Sequence, residues 1–306
     1  MDVLLNNSRT TILLAGATGD LGERITKALI EQGARVKTIV RPTTSASKLE
    51  HLRQLGAVPV PIDYNDAAAL REACADVFCI VSVLNGLRDV IIDTQTLLLN
   101  AAVQAGVPRF IPSDYSMDYR HLPEGSNRNL NLRREFMKRL DEAPIKATSI
   151  LNGAFGELLT GMAPIVLFRY KRILYWENAD QLMDFTTKDN VAAYTARAAL
   201  DQDTPRFLHI AGDQVSASQL VAIMSEISGQ HYRLLRAGGH KRLEFLTGVT
   251  RRFDRKKQDA FPAWQGMQYM NGMFTGAGKL QQIDNDRYSD IHWTTAKQIL
   301  SETIHN

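Results

Sequence analysis

Cysteine is scarce in this sequence. Cys74 and Cys79 are the two cysteines among 306 residues, they do not form a CxxC pair, and no histidine lies within ten residues of either. A disulfide framework needs several cysteines, and a structural zinc site needs Cys and His ligands at short spacing. We therefore exclude both classes and expect two small core residues of a chain in a reducing compartment.

Long apolar runs are also absent. No stretch approaches the roughly 18 residues that indicate a membrane-spanning helix. Residues 1–7 carry neither the basic flank nor the apolar core of a secretory signal. We expect a cytoplasmic protein without membrane segments.

The sequence has no large excess of one charge. It contains 36 Lys and Arg against 33 Asp and Glu, a net charge of +3, which is too small to attract nucleic acid or an anionic membrane to the surface as a whole. The basic run at residues 251–257 is interrupted by Asp254, and such runs are usually solvated helix faces. We expect any basic patch to be local, and neither nucleic acid nor a membrane as a binding partner.

Motifs of several catalytic classes are lacking. The histidines show no HxxxH spacing and no GxSxG sequence occurs, so metal-dependent and serine-hydrolase chemistry have no support. Glycines at residues 272–278 precede Lys279, but five residues separate Gly272 from Gly278 where a phosphate loop has four, and Leu280 replaces the required Ser or Thr. We interpret this segment as a loop.

Apolar segments of strand length alternate with helical segments as far as residue 151. The predicted strands are residues 11–14, 36–40, 58–62, 77–81, 110–111 and 147–151. The segments between them carry apolar residues at helical spacing, several ending at a glycine such as Gly33 or Gly56. Asp66 is expected to cap the helix after the third strand, Asp89 to start the helix after the fourth, and a further helix is expected over roughly residues 132–142. Continuous apolar strands joined by helices indicate a parallel sheet covered on both faces. The sequence thus predicts an α/β fold with a doubly wound parallel sheet.

The alternation stops near Phe155. We predict a nucleotide-binding domain over residues 1–155 and a smaller substrate or lid domain over residues 156–306. A segment near residues 185–212 contains a helix and a strand that are expected to return to the sheet. Ser216 is expected to cap a further helix that ends at Gly229.

Three glycines with GxxGxxG spacing lie where the first strand meets the first helix. Gly16, Gly19 and Gly22 allow a sharp turn, a close approach of the backbone to a diphosphate, and close packing of the helix on its strand. The helix N-terminus then offers N–H groups and a partial positive charge to the diphosphate. Because the turn opens a strand–helix alternation, it predicts a dinucleotide site, with a purely structural glycine turn as the alternative.

Charge after the second strand indicates which dinucleotide binds. An NAD site has an acid about 20 residues beyond the glycine turn, where it binds the ribose 2′-hydroxyl, but no acid lies between Glu31 and Glu50. Arg41 ends the second strand instead, and Thr43 and Lys48 follow. A guanidinium matches a 2′-phosphate. We predict NADP(H), with a solvated surface arginine as the alternative.

Polar residues also follow the third and fourth strands. Asp63 is placed where it could meet the adenine edge of the cofactor. Ser82 lies over the predicted cofactor crevice, although a serine that forms a turn is an equal alternative.

Several segments together resemble the NmrA-like and isoflavone-reductase-like branch of the atypical short-chain dehydrogenases. They are residues 16–22, 40–42, 109–115, 152–155 and 185–192. The resemblance implies a Rossmann-type NADP(H)-binding domain with a smaller C-terminal substrate domain. Members of the branch are NADPH-dependent reductases of aromatic or other small molecules, or nucleotide sensors that bind partner proteins without catalysis.

The resemblance and the strand-end residues together give a set of expected cofactor contacts. The expected NADP(H)-binding residues are Gly16, Thr18, Gly19, Asp20, Leu21, Gly22, Arg41, Thr43, Lys48, Asp63, Ser82, Asn152 and Phe155.

The resemblance also places Arg133 at the reaction centre. Reductases of this branch carry a lysine about nineteen residues before the residue that matches Asn152, and the same count here reaches Arg133. A lysine can be tuned to donate a proton, whereas a guanidinium stays charged and binds or polarises an oxygen. No tyrosine has a lysine four residues later. We predict Arg133, Ser113 and Tyr115 beside the nicotinamide, with a turn serine and a packed tyrosine as structural alternatives.

Two functions follow from these residues. The first is an NADPH-dependent reductase of a small aromatic molecule, favoured by the many aromatic residues of the second half. The second is an NADP(H)-sensing regulator that binds a partner protein, favoured by Arg133 in place of lysine. We take the reductase as the leading hypothesis.

Overall fold

The computed structural model describes residues 10–254 and 259–305, so Arg255, Lys256 and Lys257 of the basic run lie outside the described residues. In chain order, the strands are β1 (Thr11–Ala15), β2 (Arg35–Val40), β3 (Val58–Pro61), β4 (Cys79–Ser82), β5 (Arg109–Ile111), β6 (Lys146–Ala147), β7 (Ser149–Leu151), β8 (Ala154–Phe155), β9 (Val166–Leu167), β10 (Arg172–Trp176), β11 (Met183–Thr186), β12 (Phe207–His209), β13 (Asp213–Val215) and β14 (Arg233–Gly238). The helices are α1 (Asp20–Glu31), α2 (Ala46–Gln54), α3 (Ala67–Ala73), α4 (Gln95–Gln104), α5 (Arg128–Glu142), α6 (Lys188–Leu200), α7 (Ala217–Ser228), α8 (His240–Phe253), α9 (Ala263–Phe274) and α10 (Ala296–His305).

The described residues divide into two compact units. The first comprises the described residues up to Asp114, together with Leu132–Ile150 and Val191–Leu208. The second comprises Tyr115–Asn131, Leu151–Asn190 and the described residues from His209 onward. Each unit is thus built from several chain segments, and the predicted single boundary after residue 155 stays a prediction.

The first unit contains a six-stranded parallel sheet in the order β3-β2-β1-β4-β5-β6. Every residue of β1 is buried, and Ile12 lies opposite Val36 on one side and Cys79 on the other. The strand order reverses direction between β1 and β4, which is the topological switch point of a doubly wound sheet. The predicted α/β fold and its six parallel strands are confirmed.

Helices connect consecutive strands of this sheet, because parallel strands need a crossover connection that returns the chain to the same end of the sheet. Leu70 of α3, Leu98 of α4 and Phe136 of α5 belong to one buried cluster with Leu13 of β1 and Phe110 of β5. The rings of Phe110 and Phe136 are 6.2 Å apart. This core holds the carboxyl ends of the strands in fixed positions along one edge.

Local signals predicted several boundaries correctly. The side chain of Asp66 accepts a hydrogen bond from the Ala69 amide and caps α3. Ser216 caps α7 through a reciprocal pair of bonds with Gln219, and Gly229 ends that helix in a left-handed conformation. Both predictions are confirmed.

Three predicted elements differ from the structure. The helix expected to start at Asp89 begins as a π-helical segment, Asp89–Thr94, in which the Thr94 hydroxyl donates to the Asp89 carbonyl five residues earlier. The strand expected over residues 147–151 is divided into β6 and β7. Helix α5 starts at Arg128, earlier than predicted, because the Asn127 side chain accepts from the Leu130 amide and caps it.

The second unit contains two small mixed sheets. One has the order β14-β10-β9 and the other β13-β11-β8. Helices α7 and α10 pack together, as do α8 and α9. The predicted strand at residues 207–210 is β12, most of which belongs to the first unit; it pairs with β7 as a separate two-stranded sheet.

Both cysteines lie in the core of the first unit, unpaired and buried. Burial raises the pKa of each thiol to about 12. Within residues 10–254 and 259–305, no helix combines the length and the apolar character needed to cross a bilayer.

Candidate functional site

The glycine turn between β1 and α1 has no room for side chains at two positions. Gly16 has a φ of +95°, and a Cβ there would lie 2.7 Å from the Val83 carbonyl oxygen, in the turn after β4. A Cβ at Gly22 would lie 2.1 Å from the Gly16 carbonyl oxygen. The close packing that the GxxGxxG spacing predicts is therefore present, at the switch point of the sheet.

Helix α1 begins directly at this turn. Gly19 is its N-cap residue and brings no side chain to the first turn of the helix. Thr18, Gly19 and Asp20 are exposed, and Asp20 pairs with Arg24 at 2.7 Å. The N–H groups and partial positive charge of this helix end thus face the carboxyl edge of the sheet.

Arg41 follows β2 on the same edge. Its carbonyl accepts from the Thr44 amide in a tight turn, and its side chain is exposed, as are those of Thr43 and Lys48. Burial raises the pKa of Tyr64, and the positive charge of Arg41 acts in the opposite direction. Arg41 therefore lies within electrostatic reach of the segment that follows β3.

Asp63 and Ser82, both predicted as cofactor ligands, have different surroundings. One Asp63 carboxylate oxygen accepts from the backbone and side-chain nitrogens of Asn65, each at 3.0 Å, which fixes a local turn. Ser82 is fully buried at the end of β4, and its hydroxyl has no hydrogen-bond partner. An orphaned polar atom at this position fits a site that holds a polar ligand.

Ser113 lies beyond the end of β5, on the same edge. Its hydroxyl donates to the Leu84 carbonyl at 2.6 Å, and its amide donates to the Gln95 side-chain oxygen at 3.0 Å. The hydroxyl thus links the ends of β4 and β5. Arg133 is buried on α5, also in the first unit.

Three of the predicted site residues belong to the second unit. Tyr115 is buried, and Phe155 is half-buried with the Lys188 ammonium 5.9 Å from its ring. The backbone of Asn152 is hydrogen-bonded on both sides: its N–H donates to the Ser116 carbonyl at 2.9 Å, and its backbone carbonyl accepts from the Thr186 hydroxyl at 2.7 Å. The Asn152 side chain is fully buried, and neither of its polar atoms has a hydrogen-bond partner.

The structure therefore brings most of the predicted cofactor residues to one edge of the first unit. That edge carries residues 16–22, Arg41, Asp63, Ser82 and Ser113, because the carboxyl ends of parallel strands meet there. These surroundings fit a dinucleotide phosphate: a cradle that a Cβ would fill, an uncapped helix end, and a cation where a ribose phosphate would lie.

Sequence reasoning missed residues that fix these segments. Gln95 is fully buried and holds the Ser113 amide. Ser149 donates to the buried Asp114 carboxylate at 2.6 Å and accepts from Arg206, which also pairs with Asp141. A lone glutamine at a buried position of an apolar helix was an available signal for Gln95.

One other depression in the described residues, and their possible metal ligands, show no comparable chemistry. A depression of 620 Å³ lies at the opposite edge of the sheet, lined by residues that precede β4, β5 and β6, among them Phe78, Pro108 and Pro144. Within the part of the chain that the structure describes, no three His, Cys, Asp or Glu residues are grouped as metal ligands.

The glycines of residues 272–278 have a packing role. A Cβ at Gly272 or Gly278 would lie 2.7 or 2.3 Å from the Met117 sulfur. The Asp118 amide donates to the Gly278 carbonyl. The segment packs on the buried loop around Met117. Residues 272–274 form the end of α9, so the predicted loop begins only after Phe274.

The strand order and the glycine turn define a Rossmann-type α/β fold. The chain belongs to the NmrA-like family, whose model matches residues 8–244. The predicted family is thereby confirmed.

Comparison with known proteins gives two kinds of relative. Bifunctional pinoresinol-lariciresinol reductase 1 from Linum usitatissimum is 26 % identical over 256 residues, which cover 78 % of this chain and 82 % of that protein. Phenylcoumaran benzylic ether reductase PT1 from Pinus taeda is 26 % identical over 231 residues, covering 71 % and 74 %. The structure of the leucoanthocyanidin reductase–NADPH complex from Vitis vinifera is similar with a TM-score of 0.79, 17 % identity and coverage of 97 % and 100 %, a similarity of fold.

Proposed function

We propose that this protein is an NADPH-dependent reductase of a small aromatic molecule. The observation that carries the proposal is the carboxyl edge of the six-stranded sheet. There, a glycine turn too tight for side chains lies at the switch point, and Arg41 stands after β2 in the place where an NAD site has an acid.

Residues at this edge would hold the cofactor. The backbone of residues 18–22 would bind the diphosphate, since N–H groups at a helix start favour anions. Arg41, with Thr43 and Lys48, would bind the 2′-phosphate, and Asp63 and Ser82 would flank the nucleoside parts. Asn152 and Phe155 complete the proposed cofactor set.

The cofactor supplies the hydride, and the chain positions the acceptor and handles its charge. A guanidinium is a poor proton donor, so the proposed role of Arg133 is to bind or polarise a substrate oxygen. The Ser113 hydroxyl already donates a hydrogen bond to the Leu84 carbonyl, so the proposed role of Ser113 is to hold the segment after β5 in place. Tyr115 is the remaining candidate for a proton donor.

The relatives support the enzyme over the regulator. Both relatives described above are named as reductases, one of pinoresinol and lariciresinol and the other of a phenylcoumaran benzylic ether, which is an aromatic compound. Their names also support a small-molecule partner for this chain.

A spectroscopic assay tests the proposal. The protein is mixed with NADPH and a panel of enones, quinones and aryl ethers, and the NADPH absorbance is followed. Consumption of NADPH with at least one aromatic member supports the reductase. Tight NADPH binding without consumption by any compound would favour the nucleotide-sensing regulator instead.

A further inference from the structure

Helix α8, in the second unit, presents apolar side chains to solvent. Phe245, Val249 and Phe253 follow one another at intervals of four residues and are 69, 39 and 76 % exposed. Leu243 and Thr247, on the opposite side of the helix, are buried. Residues four apart lie on one helix face. The apolar stripe is therefore on the face that the unit leaves uncovered, while the other face packs in the direction of α9.

Basic residues share this face. Lys241 lies one turn before Phe245, and Arg252 lies three residues after Val249, and both are exposed, as is Arg242. Glu244 points elsewhere, since its carboxylate accepts from the Asn271 side chain of α9. The outward face of α8 thus combines protruding apolar groups with cations.

The positive charge of the chain is concentrated in this region. Residues 233–254, which form β14 and α8, contain six basic and two acidic residues, a net charge of +4, whereas the whole chain has +3. The rest of the sequence is therefore slightly acidic. The small net charge of the whole chain argued against anionic partners for the surface as a whole. It does not exclude them for residues 233–254, where the local positive charge is high.

We propose that this face of α8, formed by Lys241, Arg242, Phe245, Val249, Arg252 and Phe253, binds the surface of an anionic lipid bilayer. Phenylalanine side chains that stand out from a helix can enter the interfacial layer of a bilayer. Lysine and arginine beside them keep their charges at the headgroups while their alkyl stems cover apolar surface. With 14 residues, α8 is too short to span a membrane and lies along its surface.

Other occupants fit this face less well. A symmetric dimer through α8 would bring the Lys241, Arg242 and Arg252 cations of both copies into one interface, and like charges brought together disfavour association. A peptide partner typically docks into a groove, whereas these side chains protrude from a single helix. A fluid anionic surface accommodates the protruding apolar side chains and attracts the cations beside them.

Vesicle flotation with the full chain tests the proposal. Vesicles of phosphatidylcholine containing about 30 % phosphatidylserine should carry the protein, and vesicles of phosphatidylcholine alone should not. The bound fraction should fall about tenfold at high ionic strength, because salt screens exposed charges. The proposal is independent of the proposed reductase function, since no nucleotide is needed for flotation.

Two sets of variants distinguish binding through this face of α8 from non-specific electrostatic attraction to the vesicles. Two variants change this face. The apolar variant combines Phe245→Ser with Phe253→Ser, and the charge variant combines Lys241→Gln, Arg242→Gln and Arg252→Gln. Each should reduce flotation about tenfold. The matched control is Lys27→Gln with Arg53→Gln and Arg71→Gln, which removes the same charge from exposed positions of the first unit and should bind as the wild type does. Circular dichroism and NADPH binding verify that each variant is folded.

Each contrary result is informative. Absence of flotation with the phosphatidylserine vesicles overturns the proposal and leaves an acidic protein as the alternative occupant. Equal losses in the α8 and control charge variants, or flotation that is insensitive to Phe245 and Phe253, would reduce the effect to non-specific adsorption and would also overturn it.

Discussion

The guanidinium of Arg109 donates a hydrogen bond to the carbonyl oxygen of Ala198, 2.8 Å away. Arg109 starts β5 and is buried, and the acceptor lies in the last turn of α6, whose neighbouring carbonyls, at Ala199 and Asp201, accept from the same guanidinium. A second guanidinium nitrogen donates to the hydroxyl of Thr204. A cation at a helix C-terminus satisfies orphan carbonyls and complements the negative end of the helix dipole. Arg109 therefore fastens α6 to the sheet.

Replacement of Arg109 by methionine should destabilise the protein by about 3 kcal/mol, because several buried carbonyls lose their donor at once. Urea unfolding of the variant measures this loss. Arg35→Met is the matched control, since Arg35 starts β2 of the same sheet but is exposed. A similar loss in both variants would show that the carbonyls of α6 are satisfied in another way.

Substitution at Gly22 should be costly for the fold, whereas substitution at Gly19 should not. An alanine Cβ at Gly22 would lie 2.1 Å from the Gly16 carbonyl oxygen and 2.9 Å from the Ala17 Cα, and backbone cannot move aside as a flexible side chain can. We expect Gly22→Ala to cost about 3 kcal/mol. At Gly19 the nearest contact of such a Cβ is 3.5 Å, so Gly19→Ala should cost less than about 1 kcal/mol, as for a weaker helix cap. Thermal unfolding of the two variants compares them, and equal losses would contradict the steric account.

Arg41→Asp should weaken NADPH binding far more than NADH binding. A carboxylate at this place repels the 2′-phosphate and leaves the ribose hydroxyl of NADH with an acceptor. We expect a loss of about 3 kcal/mol, roughly a hundredfold in Kd, for NADPH and little change for NADH. Calorimetry with both cofactors measures the two affinities. Arg53→Asp, on exposed α2, controls for the change in net charge, and equal losses for NADPH and NADH would remove the 2′-phosphate interpretation.

The sheet was predictable because its signals are local. Each of the first five strands is an apolar run bounded by turn residues, and the helices between them end at glycines such as Gly33, which has a φ of +79°. Strands such as β9 and β13 have two or three residues and carry no usable periodicity. The sequence-based reading therefore described the first unit in detail and the second only in outline.

The residues of the candidate site differ in the same way: some are predictable from local patterns, and others are not. Gly16, Gly22 and Arg41 were identified from spacing and charge, which act over a few residues. The partners of Ser113 and Arg109 were not, since Gln95 and Ala198 come from 18 and 89 residues away and are brought near by the fold. Local patterns do not specify such pairings, and Ser113 consequently looked like a reactive group although its hydroxyl is bonded to Leu84.

His209 should make the second unit sensitive to mild acid. Its Nε2 atom lies 3.0 Å from an Arg120 nitrogen, so the neutral ring can accept a hydrogen bond from that guanidinium. Burial lowers the pKa of His209 from its ordinary value of 6.5; Asp118 and Asp284 act in the opposite direction, and Arg120 adds to the lowering. Protonation of the ring would replace this hydrogen bond with a contact between two cations.

The sign of the effect follows from proton linkage. A histidine with a lowered pKa binds protons more readily in the unfolded chain than in the folded one, so the free energy of unfolding is unaffected above pH 6.5 and decreases as the pH falls below it. His209→Gln, which retains an acceptor for Arg120, should flatten that decrease below pH 6.5. Urea unfolding at a series of pH values measures the slope. The exposed His231 provides the control, because His231→Gln should leave the slope of the wild type unchanged, and a wild-type slope in His209→Gln would assign the acid sensitivity to other groups.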